Sequence, residues 1–334
     1  MAAAALLLVL IGNGATAQGP ATAGTPPPCL YQDGAPADAA SIRSAGVAAI
    51  CAPAAAVDAW KAAGFEVTAI DTADLAAREL LATPGVLRGQ RVASATRTPF
   101  VVSNGWRIRR GPDTRYRYNL PVERAALAAV EAATWGADAV LQLEAPGDLA
   151  PLGRVHQFLR KLPDRDLPHM ADFAMVDDGS DEAGEVMNLF TRRNLLYEIV
   201  KAPSDRFALN IQLGTPEFPR MSTSDPSAFA LRVRRRIGDE ARSLRIYGSE
   251  VTIARAGADA NGARVHLINY TGRQVFGLRV RLRGVYEPEG AYVLGVERSA
   301  LEDVAVVDGF TEFTIPQMGL FAVVDLRKVP GSTQ

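Results

Sequence analysis

The chain has 334 residues, enough for two or three domains, and its 48% hydrophobic and 22% charged composition is that of a globular protein able to bury a core. Lys plus Arg (36) balance Asp plus Glu (37) to a net charge of −1, which excludes the cationic surface of a general nucleic-acid binder. Three His and two Cys leave little material for a His/Cys metal site.

Residues 1–11 (MAAAALLLVLI) form an apolar run the length of a signal-peptide core, and Ala15-Thr16-Ala17 before Gln18 is a small-residue cleavage pattern. The reading is export: residues 1–17 a signal peptide, the mature chain secreted or periplasmic. The run is too short to span a bilayer, and no later stretch is long and apolar enough. Residues 18–40, rich in Ala, Gly, Thr and Pro, read as a flexible leader. Cys29 and Cys51 either pair in an oxidising compartment or stand as two thiols, Cys51 then being a small core residue.

From Val47 the pattern alternates short apolar runs with helical ones. Strands are predicted at 47–51 and 66–70, with helices from Pro53 to Ala63 and from Thr72 to Leu81. Asp113 to Asn119, where Arg and Tyr alternate, reads as a surface loop or edge strand. A helix over 121–135 with Gly136 at its end precedes a buried strand over 137–143. This β-α-β-α order is the signature of a parallel sheet with helices on its faces. Further along, helices are predicted at 152–162, 182–194 and 228–236, and strands at 172–176, 196–200 and 207–213. After about Leu244 strands follow strands, with hairpin signals at Asn261-Gly262 and Asp308-Gly309, which predicts an antiparallel β-sandwich. The period-two pattern of Val265 and Leu267, and of Arg279 and Arg281, gives that sandwich one buried and one wet face per sheet.

Ligands of parallel sheets bind at the strands' carboxyl ends, so the residues following each strand are the candidates. Glu144 follows 140–143, Asp177 and Asp178 follow 173–176, and Asp71 follows 67–70. Paired acids can act as general acid and base on a glycosidic bond, or bind sugar hydroxyls. Asp71 and the Asp178-Ser180-Asp181 group equally fit caps of the following helices. In Asn104-Gly105-Trp106-Arg107, a Trp face can stack on a sugar while Asn104 and Arg107 hydrogen-bond its hydroxyls; otherwise Trp106 is a core aromatic. Trp60 and Trp135 lie in Ala-rich helices as packing residues. No G-x-S-x-G, Walker or H-E-x-x-H motif occurs, and His156, His169 and His266 show no metal-ligand spacing. The basic run Arg232–Arg236 is followed by Asp239 and Glu240 and reads as a solvated helix face. Asn269-Tyr270-Thr271 matches a glycosylation sequon.

Asp172-Phe-Ala-Met-Val-Asp-Asp178 with its following helix, Arg264-Val-His-Leu-Ile-Asn-Tyr270, Gly277-Leu-Arg-Val-Arg-Leu282 and the closing strands at 311–316 and 321–326 carry a resemblance. From about residue 90 to 327 the order resembles the rear portion of secreted glycosidase-like proteins of the beta-galactosidase type. The resemblance implies a β/α barrel, then a flavodoxin-like domain related to glutamine amidotransferases, then a small β-sandwich. About 130 residues precede the middle segment, short of the roughly 250 of a whole barrel, so that part is read as a partial barrel. The expectation is therefore α/β followed by all-β: a partial-barrel-like region at 41–163, a flavodoxin-like region at 164–248 and an antiparallel sandwich at 249–328. Two functions stay open. One is a glycoside hydrolase using Glu144 with Asp177 or Asp178, and Asn104, Trp106 and Arg107 as substrate contacts. The other is a non-catalytic glycan- or protein-binding scaffold. Neither needs a cofactor, a metal, nucleic acid or a membrane span; a carbohydrate ligand and self-association are the partners expected.

Overall fold

The structure is a computed structural model and describes residues 27–87, 100–297 and 299–331. The signal-peptide reading of 1–17 and the leader as far as residue 26 lie outside the described residues. The chain runs β1 (Cys29–Tyr31), α1 (Ala39–Ser44), β2 (Ala49–Ala52), α2 (Ala54–Ala62), β3 (Glu66–Ala69), α3 (Thr72–Ala77), β4 (Glu79–Leu81), β5 (Gly85–Leu87) and β6 (Phe100–Val102). It continues through α4 (Gly105–Arg110), β7 (Arg115–Leu120), α5 (Ala125–Trp135), β8 (Asp138–Leu143) and α6 (Ala150–Lys161). Six of these strands form an all-parallel sheet in the order β3-β2-β1-β8-β7-β4, while β5 and β6 pair separately and antiparallel.

Local chemistry explains the elements. Asp71 caps α3 by accepting the Asp74 N–H at 2.7 Å. Gly136 ends α5 in the left-handed conformation at φ 70°. The helix expected through Leu81 stops at Ala77. Arg78 turns extended there because its buried guanidinium is held by Asp74, Asp138 and the Tyr116 carbonyl, and residues 79–81 become β4. The Arg/Tyr alternation at 115–118 is an interior strand, not a surface loop or an edge: β7 lies between β8 and β4 with Tyr116 and Tyr118 buried. Cys29–Tyr31, inside the segment read as leader, is likewise an interior strand with Leu30 fully buried. Gly153 lets α6 lie on the Ala45 carbonyl, where a Cβ would come within 1.7 Å of the oxygen.

Cys29 and Cys51, on neighbouring strands β1 and β2, are disulfide-bonded with Cα atoms 5.5 Å apart. The bond closes a loop of sequence separation 22, which the chain-entropy relation values at about 3 kcal/mol. Cys51→Ser is expected to lower unfolding free energy by about that amount in urea titration, and reductant is expected to do the same to the parent protein but not to the variant.

A second parallel sheet follows, built from β9 (Phe173–Val176), α7 (Asp181–Arg192), β10 (Tyr197–Val200), β11 (Asn210–Ile211) and α8 (Pro226–Ile237), in the order β10-β9-β11. Its own core holds Phe173 and Phe190 edge-to-face at 5.0 Å, with Tyr197 and Phe229 beside them. The Arg run on α8 is locally paired, Arg234 with Asp239 and Arg236 with Glu217.

The remainder is antiparallel: β12 (Leu244–Tyr247), β13 (Thr252–Ala258), β14 (Gly262–Asn269), β15 (Val275–Arg283), β16 (Tyr286–Val293), β17 (Glu302–Val307), β18 (Phe310–Met318) and β19 (Phe321–Lys328). They make two four-stranded sheets, β12-β15-β18-β17 and β13-β14-β19-β16, whose facing residues, among them Val265, Leu267, Val280, Phe313 and Val324, form one core. Parallel α/β structure is thus followed by antiparallel sheets. The outer face of β13, β14 and β19 is not wet throughout: Ile253, Ile268, Phe321 and Val323 pack into the α/β core. Asn269 of the sequon is fully buried, and its Nδ2 donates to the carbonyls of Arg273 and Gly319, so it is not offered at the surface. Among the described residues no helix is long and apolar enough to cross a membrane.

Candidate functional site

The residues singled out in the sequence fall into three places. Asn104, Trp106 and Arg107 lie at α4. Asn104 is buried, and its Nδ2 donates to Glu131 and to the Ala82 carbonyl, at 2.7 and 2.9 Å. Trp106 packs over α7, where a Cβ on Gly184 would come 2.8 Å from its ring. Arg107 lies over the Trp106 ring at 5.5 Å and pairs with Glu79 at 3.3 Å. All three are occupied in packing α4.

Asp177 and Asp178 sit together after β9, at the start of α7. Asp177 accepts two hydrogen bonds from Arg110, at 2.7 and 3.1 Å, and one from the Gly179 N–H, with Lys201 3.6 Å away. Burial alone would raise its pKa, but Arg110, Gly179 and Lys201 together outweigh it and hold the carboxyl below the usual range. Asp178 accepts from the Ser180 N–H and Oγ and from Arg220. Burial pushes it up, and these partners still hold it at about 2. Both are ionised and paired at neutral pH, which suits a helix start and not a proton donor.

Glu144 is elsewhere. Arg110 closes α4, and the Tyr116 hydroxyl at the start of β7 donates to the carbonyls of Arg107 and Gly111 in that last turn. Glu144 lies past the opposite end of the neighbouring strand β8, its N–H bonded to the Leu120 carbonyl. At about 3.3 Å per residue, the length of β8 separates these ends by roughly 20 Å. A glycosidase pair needs its carboxyls about 5–10 Å apart. The structure brings Asp177 and Asp178 together with the helix carrying Trp106 and leaves Glu144 apart.

Another carboxylate was not singled out. Glu131 is fully buried in α5 and accepts four hydrogen bonds: from the Asn104 N–H (2.8 Å) and Nδ2 (2.7 Å), and from the hydroxyls of Tyr118 (3.0 Å) and Tyr270 (2.6 Å). Its oxygens are saturated, so the group joins α5, β7, the residue before α4 and the sandwich. It offers nothing to a substrate.

Among the described residues, a space able to take a ligand lies on the side away from Glu144. A cavity of ≈460 Å³ opens between the ends of α5 and α6, the 163–166 segment and the outer face of β13, β14 and β19. Strand register supplies its polar wall. Arg255 pairs across to His266, and Arg264 to Asp325, on the face that further along carries Ile253, Ile268 and Phe321. Trp135, Phe321 and Leu162 supply apolar wall. Thr134 Oγ1 and His266 Nδ1 are buried without a hydrogen-bond partner among the described residues. Burial first, then Arg255 and Arg264, hold His266 well below its ordinary pKa, so the imidazole is neutral. Such a surface can stack a ring and satisfy hydroxyls or an anion. It was missed because Val265 and Leu267 marked one face of β14 as core. The signal available was polar Arg264 and His266 alternating with them on a strand covered from both sides. Among the described residues no group of three His, Cys, Asp or Glu is arranged to hold a metal.

No protein-family profile matches the sequence, and no curated protein matches it. Among solved structures the chain is similar to alpha-L-fucosidase isoenzyme 2 from Paenibacillus thiaminolyticus, at 8% identity and a TM-score of 0.48 over 82% of this chain and 70% of that one. It is also similar to a beta-galactosidase from Rahnella sp. R3 (8%, TM-score 0.33, 60% of this chain and 51% of that one). A GH42 beta-galactosidase from G. stearothermophilus gives 10% and 0.36 over 90% of this chain and 64% of that one. The chain thus spans about half the length of the second and under two thirds of the third. At these values the likeness assigns no role to any residue.

Proposed function

We propose that this protein is an exported, non-catalytic carbohydrate-binding protein whose ligand sits in the cavity between α5, α6 and the β13-β14-β19 face. The cavity carries the reading. Its ≈460 Å³ falls in the range of small-ligand sites, and aromatic walls beside Arg, Asp, Thr and His groups suit a ring with one apolar face and many hydroxyls. The Cys29–Cys51 disulfide supports export, since such bonds persist in oxidising compartments. The pairing of Asp177 with Arg110 and of Asp178 with Arg220 favours binding over hydrolysis, since neither carboxyl is a ready proton donor.

Isothermal titration calorimetry against a panel of neutral and acidic mono- and oligosaccharides tests this. At least one saccharide is expected to bind, with affinity falling about tenfold in His266→Ala and no sugar cleaved on prolonged incubation. Binding untouched by His266→Ala would move the site elsewhere. Release of reducing ends would restore the hydrolase.

A further inference from the structure

We infer that the saccharide held in this cavity is an acidic one, with a ring carboxylate received by Arg255; the inference rests on the binding reading above. Four arginines line the cavity, Arg160, Arg165, Arg255 and Arg264, against two aspartates, Asp164 and Asp166. Their counter-charges differ in kind. Arg264 is locked to buried Asp325 by two bonds of 2.7 and 2.8 Å, and also donates to the carbonyls of Pro163 and Arg165. Arg165 pairs with Glu289 at 2.8 Å and lies 3.7 Å from Asp325.

Arg255 is placed differently. It donates to the Thr134 carbonyl at 2.9 Å, to His169 Nδ1 at 3.4 Å and to one carboxylate, Asp166, at 3.2 Å. The guanidinium side chain is 15% exposed, whereas the carboxylate it pairs with among the described residues is 67% exposed. Three of its five N–H groups are engaged. Arg160, at the rim, likewise pairs with a carboxylate that is mostly in water, Glu66. Burial first, then Arg255, keeps the rings of His169 and His266 neutral, His169 down at about 3. Two guanidiniums therefore border the cavity with counter-ions that solvent can take back, while the locked Arg264–Asp325 pair fixes the wall behind them. A ligand carboxylate can replace Asp166 on Arg255 and gain a charge-assisted, bidentate hydrogen bond in a less hydrated place. The ring then lies against Trp135 and Phe321.

The test compares galacturonate, its neutral parent galactose and sodium acetate by calorimetry, in the parent protein and in Asp166→Asn and Arg160→Ala. These substitutions are at exposed positions. Arg255→Gln removes three hydrogen bonds from the fold itself, so Asp166→Asn carries the weight. Galacturonate is expected to bind about tenfold more tightly than galactose, more tightly again in Asp166→Asn and less tightly in Arg160→Ala. Added salt is expected to weaken it while galactose is unaffected. Equal affinity for the acid and its parent in all three proteins overturns the acidic class and leaves a saccharide site standing. Acetate binding as tightly as galacturonate reduces the cavity to a bare anion site and overturns both readings. No binding by either sugar removes both.

Discussion

Glu131→Ala is expected to destabilise the protein by about 3–5 kcal/mol. The carboxylate is fully buried and accepts four hydrogen bonds. Truncation strands the Asn104 backbone N–H and the Tyr118 hydroxyl in the interior, each at about 1–3 kcal/mol, and adds a cavity, while Tyr270 keeps Ser103 and the Asn104 side chain keeps the Ala82 carbonyl. Glu131→Gln preserves the shape but turns an acceptor into a donor facing donors, so most of the loss is expected there too. Burial lifts the Glu131 pKa against the hydrogen bonds from Tyr270, Asn104 and Tyr118, which lower it. Its folded-state pKa therefore lies above the unfolded one. The carboxyl's own contribution is complete in acid, below the unfolded value, and is lost as pH rises through the folded value. At neutral pH the cost of substitution thus comes from the stranded donors more than from the lost charge. Urea titration of Glu131→Ala, Tyr270→Phe and the double variant measures the link between α5 and the sandwich. A coupling energy under about 0.5 kcal/mol would show that the two halves are not joined through this group.

Acid is expected to destabilise the protein from about pH 6.5 downward, by about 3 kcal/mol through His156 alone. His156 is fully buried in α6, and its Nδ1 accepts the Ala48 N–H at 3.4 Å. Burial first, with Arg160 adding, lowers its pKa from 6.5 to about 4. A base with a depressed folded-state pKa contributes stability that is present above 6.5 and lost as pH falls toward about 4. His266 adds in the same direction. His169, more open to water, adds less. Asp178, held at about 2, is felt only at much lower pH. Unfolding free energies measured between pH 7.5 and 4.5 should show this slope, and His156→Gln, whose amide oxygen can still accept from Ala48, should flatten it. An unchanged slope in that variant would assign the acid sensitivity to another group.

Much of the fold is legible along the chain because its signals are local. Residues 49–52, 66–69 and 138–143 are strands where short apolar runs predicted them, and the Asp308-Gly309 turn has both φ angles positive, 51° and 76°, as its residue types demand. The errors have one cause. Arg115 to Tyr118 looked like surface because its arginines alternate with aromatics, yet the partners that bury Tyr116 and Tyr118 come from α5 and from the loops at 104 and 111. The site fared worse for the same reason. Strand ends offer carboxylates to a reader of the sequence, whereas the cavity is assembled from residues 134, 162, 255 and 266, whose proximity no periodicity encodes. Glu131 did leave a trace: it is the single charge in a helix that otherwise reads AALAAV-AATW.

The sheet of β13, β14 and β19 has hydrophobic core on both faces, the sandwich behind and the parallel α/β layer in front. Neither neighbour can detach without baring that shared wall to water, so heating should produce one calorimetric transition and not a pair. Because the cavity lies between this wall and the α/β layer, an occupant would bridge segments more than a hundred residues apart in sequence. Saturation would then slow proteolysis across the whole chain, including strands far from the ligand, by mass action on the folded form.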